Sequence, residues 1–174
     1  MLIRTKRLTV RYIIESDWSS VKNIVEDFIG SKYAQYDVPQ NTDDESVRAR
    51  VSRWAMASSK MEHMFFTVCL NDNMIGYISF NIRENGYEIG YCFHSDYHGK
   101  GYAKEAHIAL FDYFKSIGIT KFFAGTAINN IPSVCLLRSL GFKQIADEKV
   151  SFYKDENGRD IVFDGGVFEL DYGG

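Results

Sequence analysis

The sequence is poor in the residues that mark the special classes of protein. Two prolines and no low-complexity tract argue against linkers, and the apolar content is too high for general disorder. The three cysteines, Cys69, Cys92 and Cys135, are odd in number and far apart, which suits a reduced intracellular protein and not a disulfide scaffold. No CxxC or CxxH spacing points to zinc. No apolar run approaches the roughly 18 residues of a membrane-spanning helix. Met1 to Arg7 contains no apolar stretch of the signal-peptide kind. A soluble, cytoplasmic protein with no membrane role is therefore expected. Charge of one sign is also lacking: Lys plus Arg is 20 and Asp plus Glu is 23, a net charge of -3. That argues against a broad nucleic-acid footprint.

What is present suits a globular enzyme-sized domain. The chain has 174 residues, of which 45% are hydrophobic and 15% aromatic. Such a chain buries roughly 70% of its unfolded surface, enough to fold without a metal or disulfide. One domain spanning residues 1–174 is expected.

Periodicity predicts the elements. Leu8 to Ile14 is β-rich and reads as a first strand. Ser16 or Asp17 caps a helix whose stripe is Trp18, Val21, Ile24, Val25, Phe28 and Ile29, with Gly30 as its stop. Ser31 to Asn41, containing Pro39, reads as a loop. Thr42 or Asp43 opens a second helix to about Ser59, with Val47, Val51, Trp54 and Ala55 inward. Met64 to Leu70, Met74 to Ile82 and Tyr87 to Phe93 form an antiparallel meander, joined by Asn71-Asp72-Asn73 and Glu84-Asn85-Gly86. A third helix covers Tyr102 to Ile117, and a fifth strand covers Lys121 to Ala127. Asn129 or Asn130 caps a short helix that ends at Leu140, with Gly141 as a left-handed stop. Phe142 to Tyr153 and Ile161 to Asp171 are the last strands. The order is β-α-α-β-β-β-α-β-α-β-β. The helix between the fourth and fifth strands makes that pair parallel, so the fold class is α/β with a mixed sheet.

The most informative segment is Asp96-Tyr97-His98-Gly99-Lys100-Gly101-Tyr102-Ala103, where a strand hands over to a helix. A helix N-terminus carries unpaired N–H groups and the positive end of the dipole. Two glycines let main chain approach an anion with no Cβ in the way. The segment can therefore cradle a phosphate or pyrophosphate, with Lys100 adding charge. A Walker loop would follow Gly-Lys with Ser or Thr, and a dinucleotide fingerprint would need a third glycine where Lys104 stands. A tight turn that only starts a helix is the plainer reading of the loop alone.

His98 to Ala106 resembles the coenzyme A pyrophosphate loop of the GNAT acetyltransferases. Three other segments resemble the same family in the same order. Thr5-Lys6-Arg7-Leu8-Thr9-Val10-Arg11 with Asp17-Trp18 is similar to the opening of its ribosomal-protein N-terminal acetyltransferase branch. Glu88-Ile89-Gly90-Tyr91 is similar to that branch's fourth strand. Asn130-Ile131-Pro132-Ser133 with Leu140-Gly141-Phe142 is similar to its Asn-x-x-Ser helix and Leu-Gly-Phe end. Together they cover Thr5 to Phe142. Two positions depart from the pattern: Asp96 stands where the loop has Gln or Arg, and Arg138 where the branch often has Glu.

The resemblance implies transfer of acetyl from acetyl-CoA directly to a primary amine, with no metal. It implies cofactor contacts at Gly90, Tyr91, His98, Gly99, Lys100, Gly101, Tyr102, Ala103 and Asn130, and a thioester held where the fourth and fifth strands splay apart. An amine must lose a proton before it attacks, and an oxyanion needs a main-chain donor. Glu88 is the candidate base, against the plainer reading of a solvent-facing strand carboxylate. Ser133 is the candidate donor to the leaving sulfur. Gly90 is expected to sit at a bulge that frees a main-chain N–H. Tyr91, Phe93 and Tyr97 are read as packing residues, and Cys92 as a core residue. The acceptor pocket is expected around Phe28 to Val38. The branch suggests a protein N-terminal amine, while a polyamine, an aminoglycoside or an amino-acid-like metabolite is equally compatible with the sequence. A non-catalytic acyl-CoA-binding module is the rival reading. A homodimer is common in the family, and the sequence leaves it open.

Overall fold

In the computed structural model, which describes residues 1–173, one eight-stranded mixed sheet has the order β1-β2-β3-β4-β5-β6-β8-β7. The strands are β1 (Leu2–Arg4), β2 (Thr9–Tyr12), β3 (His63–Leu70), β4 (Asn73–Arg83), β5 (Gly86–Phe93), β6 (Lys121–Ala127), β7 (Lys143–Lys154) and β8 (Asp160–Asp171). The helices are α1 (Trp18–Ile29), α2 (Asp44–Ala57), α3 (Tyr102–Ser116) and α4 (Ile131–Ser139). Among the described residues, no helix is long and apolar enough to cross a membrane.

The expected order lacks one strand. β1 is three residues long and pairs Leu2 with Arg11 and Arg4 with Thr9, too short to show a period of its own. β2 stops at Tyr12, two residues before the expected end at Ile14. The Asp17 carboxylate accepts from the Ile14 N–H at 2.9 Å and grips Arg11 through two nitrogens at 2.7 and 2.8 Å, and this turns the chain into α1. Asp43 caps α2 by accepting from the Ser46 N–H at 2.8 Å, as its residue type predicts.

The sheet separates two cores. Ala106, Leu110, Phe111 and Phe114 of α3, with Val134 and Leu137 of α4, pack on Phe66, Phe80, Phe122 and Phe168 of the strands. Val21, Ile24 and Val25 of α1, with Val47 and Val51 of α2, pack on Ile13, Met74 and Tyr77. Trp54 stacks on Phe65 at 4.5 Å beside that second core.

The element that creates the site is β5. Its ladder with β4 is continuous from Gly86 opposite Arg83 to Phe93 opposite Gly76. Its parallel ladder with β6 lasts for two pairs only, Tyr87 with Phe122 and Glu88 with Phe123. The two strands then diverge. The expected bulge at Gly90 is absent, because Gly90 pairs in register with Ser79. The register shifts lie elsewhere, between Val68 and Cys69 of β3 and, in β7, between Gln144 and Ala146 and between Val150 and Tyr153.

Phe80 is fully buried, and its ring meets those of Phe66, Phe111, Phe114 and Phe122 within 6.2 Å. Phe80→Ala removes the centre of this cluster and is expected to cost about 3–5 kcal/mol. The check is the urea midpoint of unfolding, which should fall with an unchanged slope.

Candidate active site

The site forms where β5 and β6 part. The His94 N–H bonds to the Ile75 carbonyl at 3.0 Å, which sets the phase of the antiparallel ladder. Main-chain groups of 88, 90 and 92 therefore point to β4, and those of Ile89, Tyr91 and Phe93 point away from it, toward the gap. The Phe93 carbonyl lies 2.8 Å from His98 Nε2. Past Glu88, β6 no longer pairs with β5, so Ile89 and Tyr91 present main-chain groups to the opening. The supply of main-chain donors that a bulge was expected to provide comes from divergence.

At the end of β5 the chain enters a 3₁₀ turn, Ser95–Tyr97, and then the glycine loop. Gly99 has φ 71° and Gly101 φ 78°, both left-handed, where a side chain would be strained. Gly101 is the N-cap of α3, and no side chain caps that helix. The N–H groups of its first turn, including Tyr102 and Ala103, face outward without intrahelical acceptors. Lys100 does not reach forward over this turn: its ammonium donates to the Asp96 carbonyl at 2.8 Å and ties the loop shut. Asp96 itself is displaced from the helix end, with its carboxylate exposed and 3.7 Å from His94 Nδ1.

Two distant segments brace the loop. Arg7 donates to the Lys100 carbonyl at 2.9 Å, pairs with Glu105 at 2.7 Å and lies over the Tyr102 ring at 4.5 Å. Thr5 donates to the same Glu105 carboxylate at 2.6 Å. From α1, Asp27 accepts from the Ser95 N–H at 2.8 Å and the Ser95 hydroxyl at 2.7 Å. Burial alone would raise the Asp27 pKa, but the Ser95 bonds and the nearby His94 and His98 outweigh it and hold it below the usual carboxylate value. Asp27 carries no signal in the sequence, because its partner lies 68 residues away.

Across the gap, strand alternation sorts the remaining groups by face. Glu88, Gly90 and Cys92 lie on the side of α1 and α2. Glu88 is held by Arg83, whose Nε donates to it at 2.9 Å. A Cβ built on Gly125 of β6 would lie 3.9 Å from a Glu88 carboxylate oxygen and 3.1 Å from one of Glu148. The two carboxylates thus share the space over one glycine. Glu148 has no ion-pair partner among the described residues. It was not singled out in the sequence, because a charge in an exposed strand has no distinguishing pattern. Asp37, from the connection between α1 and α2, opens on the same face. It is exposed, yet surrounding protein pushes its carboxyl pKa up, and its charge is felt at Tyr77 and Cys92. Burial pushes the Cys92 thiol up to about 12, which keeps it protonated in the neutral range, and it packs partly buried against the α1 and α2 core.

Tyr91 lies on the other face, toward α3 and α4. Its hydroxyl is 2.7 Å from the Ser133 hydroxyl in the first turn of α4. Tyr91 is therefore more than the packing residue expected from sequence. Asn130 occupies the N-cap position of α4, but its side chain makes no cap bond, which leaves the amide for another partner. The β7–β8 hairpin reaches the connection between α1 and α2: Phe163 meets Tyr36 edge-on at 4.8 Å, and the Tyr153 hydroxyl donates to the Ala34 carbonyl at 3.4 Å. These contacts wall the carboxylate side of the gap. Among the described residues, no group of three or more His, Cys, Asp or Glu side chains is placed to hold a metal.

This fold is that of a known class. The acetyltransferase (GNAT) domain family matches residues 7–143, and the chain belongs to that family. The uncharacterized N-acetyltransferase YnaD of Bacillus subtilis (strain 168) is 32% identical over 150 residues, 83% of this chain and 84% of that protein. A GNAT-family acetyltransferase structure from Bacillus anthracis is 27% identical with a TM-score of 0.78, covering 98% of each chain. An acetyl transferase from Salmonella typhimurium that modifies the N-terminal serine of 50S ribosomal subunit protein L7/L12 has a TM-score of 0.85 at 20% identity, covering 98% of this chain and 99% of that one. The protein is an N-acetyltransferase, and acetyl-CoA is its acetyl donor.

The Asp27 bonds give the loop a pH dependence of known sign. A depressed carboxylate contributes in full above its usual pKa, and its contribution is lost as pH falls through the folded value. Amide-exchange protection at Ser95 and Tyr97 should therefore fall on acidification below the ordinary carboxylate range. Asp27→Asn should show weaker protection at neutral pH and little further change with acid.

Proposed function

We propose that the chain acetylates a protein N-terminal amine by direct transfer, within a single domain of residues 1–174. The observation that carries the reading is the gap itself. An uncapped glycine-started helix stands at one end of it, carboxylates lie on one face and a hydroxyl pair on the other. The main-chain amides of the glycine loop and the start of α3, from Gly99 through Ala103, hold the pyrophosphate of acetyl-CoA, with His98 and Lys100 bracing the loop from within. Asn130 and the exposed main chain of Ile89 and Tyr91 guide the arm toward the gap, while the Gly90 main chain bonds to β4. The amine arrives from the side of Asp37 and loses its proton to Glu88, directly or through a water. It then attacks the carbonyl carbon, whose oxygen is met by main-chain N–H groups along β5. The C–N bond forms and the C–S bond breaks; the second proton leaves the nitrogen to water, and the sulfur departs as a thiolate that accepts a hydrogen bond from Ser133. The acceptor class follows the Salmonella relative in fold, and three free thiols suit a reducing compartment such as the cytoplasm.

Glu148 is a second reading for the base, favoured by one observation: Glu88 already holds Arg83, whereas Glu148 is unpaired. Removing the base should lower turnover by roughly 10²-fold with acetyl-CoA affinity intact. Glu88→Gln and Glu148→Gln, compared by thiol release, assign the role to whichever falls.

Gly101→Asp places bulk, strain and negative charge at the helix start. It should abolish measurable heat with acetyl-CoA in calorimetry, and binding as tight as wild type would remove the loop from the cofactor site. A panel of N-terminal peptides, polyamines, aminoglycosides and amino acids tests the acceptor. Turnover confined to the peptides is the expected result.

A further inference from the structure

The contact between Tyr91 and Ser133 has a direction, and the direction decides which proton faces the leaving group. Their hydroxyl oxygens lie 2.7 Å apart, one on β5 and one in the first turn of α4. A serine hydroxyl has one proton to give and two lone pairs to accept with, and a phenol is the stronger donor of the two. The phenol is half-buried, and its hydroxyl faces the Ser133 hydroxyl. Burial pushes its pKa up to about 12, which keeps it protonated throughout the neutral range.

The Tyr91 ring is itself held. It meets the His107 ring edge-on, at 5.0 Å and 88° between planes. His107 is fully buried in α3, and its Nδ1 lies 2.7 Å from the Ala103 carbonyl. A carbonyl only accepts, so Nδ1 carries the hydrogen. Burial lowers the His107 pKa to about 4 and leaves the ring neutral. The support therefore runs from the first turn of α3, through His107 and Tyr91, to the first turn of α4.

We infer that Tyr91 is a positioning residue for acetyl transfer: its hydroxyl donates to Ser133 Oγ, so that the single Ser133 proton is committed to the departing sulfur. The inference rests on the reading of Ser133 as the donor to sulfur and adds the group that orients it. It adds no proton-transfer step of its own. The two hydroxyls form a chain in which each bond polarises the next. Without the Tyr91 donor, the Ser133 hydroxyl is free to turn its proton elsewhere, including toward nearby main-chain carbonyls.

The test is a double-mutant cycle on the full chain, read as kcat for thiol release and as Kd for acetyl-CoA. Tyr91→Phe keeps the ring against His107 and removes only the hydroxyl. It should lower kcat by about tenfold, near the lower end of what a lost acid–base or transition-state hydrogen bond costs, with Kd changed less than about twofold. Ser133→Ala should lower kcat by at least as much. Adding Tyr91→Phe to Ser133→Ala should cost nothing further, because the residue acts only through Ser133. Ser133→Thr, which retains a hydroxyl, should keep its sensitivity to Tyr91→Phe. A packing defect would slow both backgrounds by the same factor, and that outcome overturns the inference. So does full activity in Tyr91→Phe beside an impaired Ser133→Ala, which leaves the Ser133 reading standing. Full activity in Ser133→Ala removes the Ser133 reading and the inference with it.

Discussion

The parallel ladder between β5 and β6 stops after two residue pairs, and the candidate active site opens where it stops. A central sheet that lets two neighbours diverge leaves main-chain donors and acceptors without partners. Those groups are costly to bury and are tolerated where a ligand or water can meet them. The two cores on either side of the sheet supply the stability that allows it. Phe80, Phe111, Phe114 and Phe122 interlock beside the paired part of the ladder.

The pleat then separates the chemistry. One strand, β5, sends Glu88, Gly90 and Cys92 to the side of α1 and α2, and Tyr87, Ile89, Tyr91 and Phe93 to the side of α3 and α4. Groups suited to taking a proton from an amine lie on the first side. The hydroxyls suited to meeting a thiolate lie on the second. A strand between them keeps carboxylate and hydroxyl apart.

The fold was largely legible because its signals are local. The α3 stripe, the Asp43 cap, the left-handed Gly141 and the parallel pair that a crossover helix demands are each readable within a few residues. β1 was not, because three residues carry no period and its pairing with β2 is set by the turn that Thr5 and Arg7 make around Glu105. The glycine loop is legible as two left-handed glycines at a strand-to-helix junction. Its bracing is not: Arg7 and Asp27 act across 93 and 68 residues of chain, and the Lys100 charge is spent on the Asp96 carbonyl. The bulge expected at Gly90 shows how one physical need can be met in two ways. A sequence reports that a free main-chain donor is wanted, and it does not report whether a bulge or a splay provides it. Glu148 and the bond between Tyr91 and Ser133 depend on register across distant segments, which residue type alone does not encode.

Asp27 belongs to α1, on the side where the amine is expected, and its carboxylate holds the Ser95 turn that leads into the glycine loop. That makes one ion-dipole bridge common to two ligands. Anything that displaces α1 on acceptor binding must strain or relieve the Ser95 bonds. By thermodynamic reciprocity, the affinity for the nucleotide-bearing substrate then changes by the same factor as the affinity for the acceptor. Coupling of that kind would run through the single Asp27 carboxylate and its two bonds to Ser95.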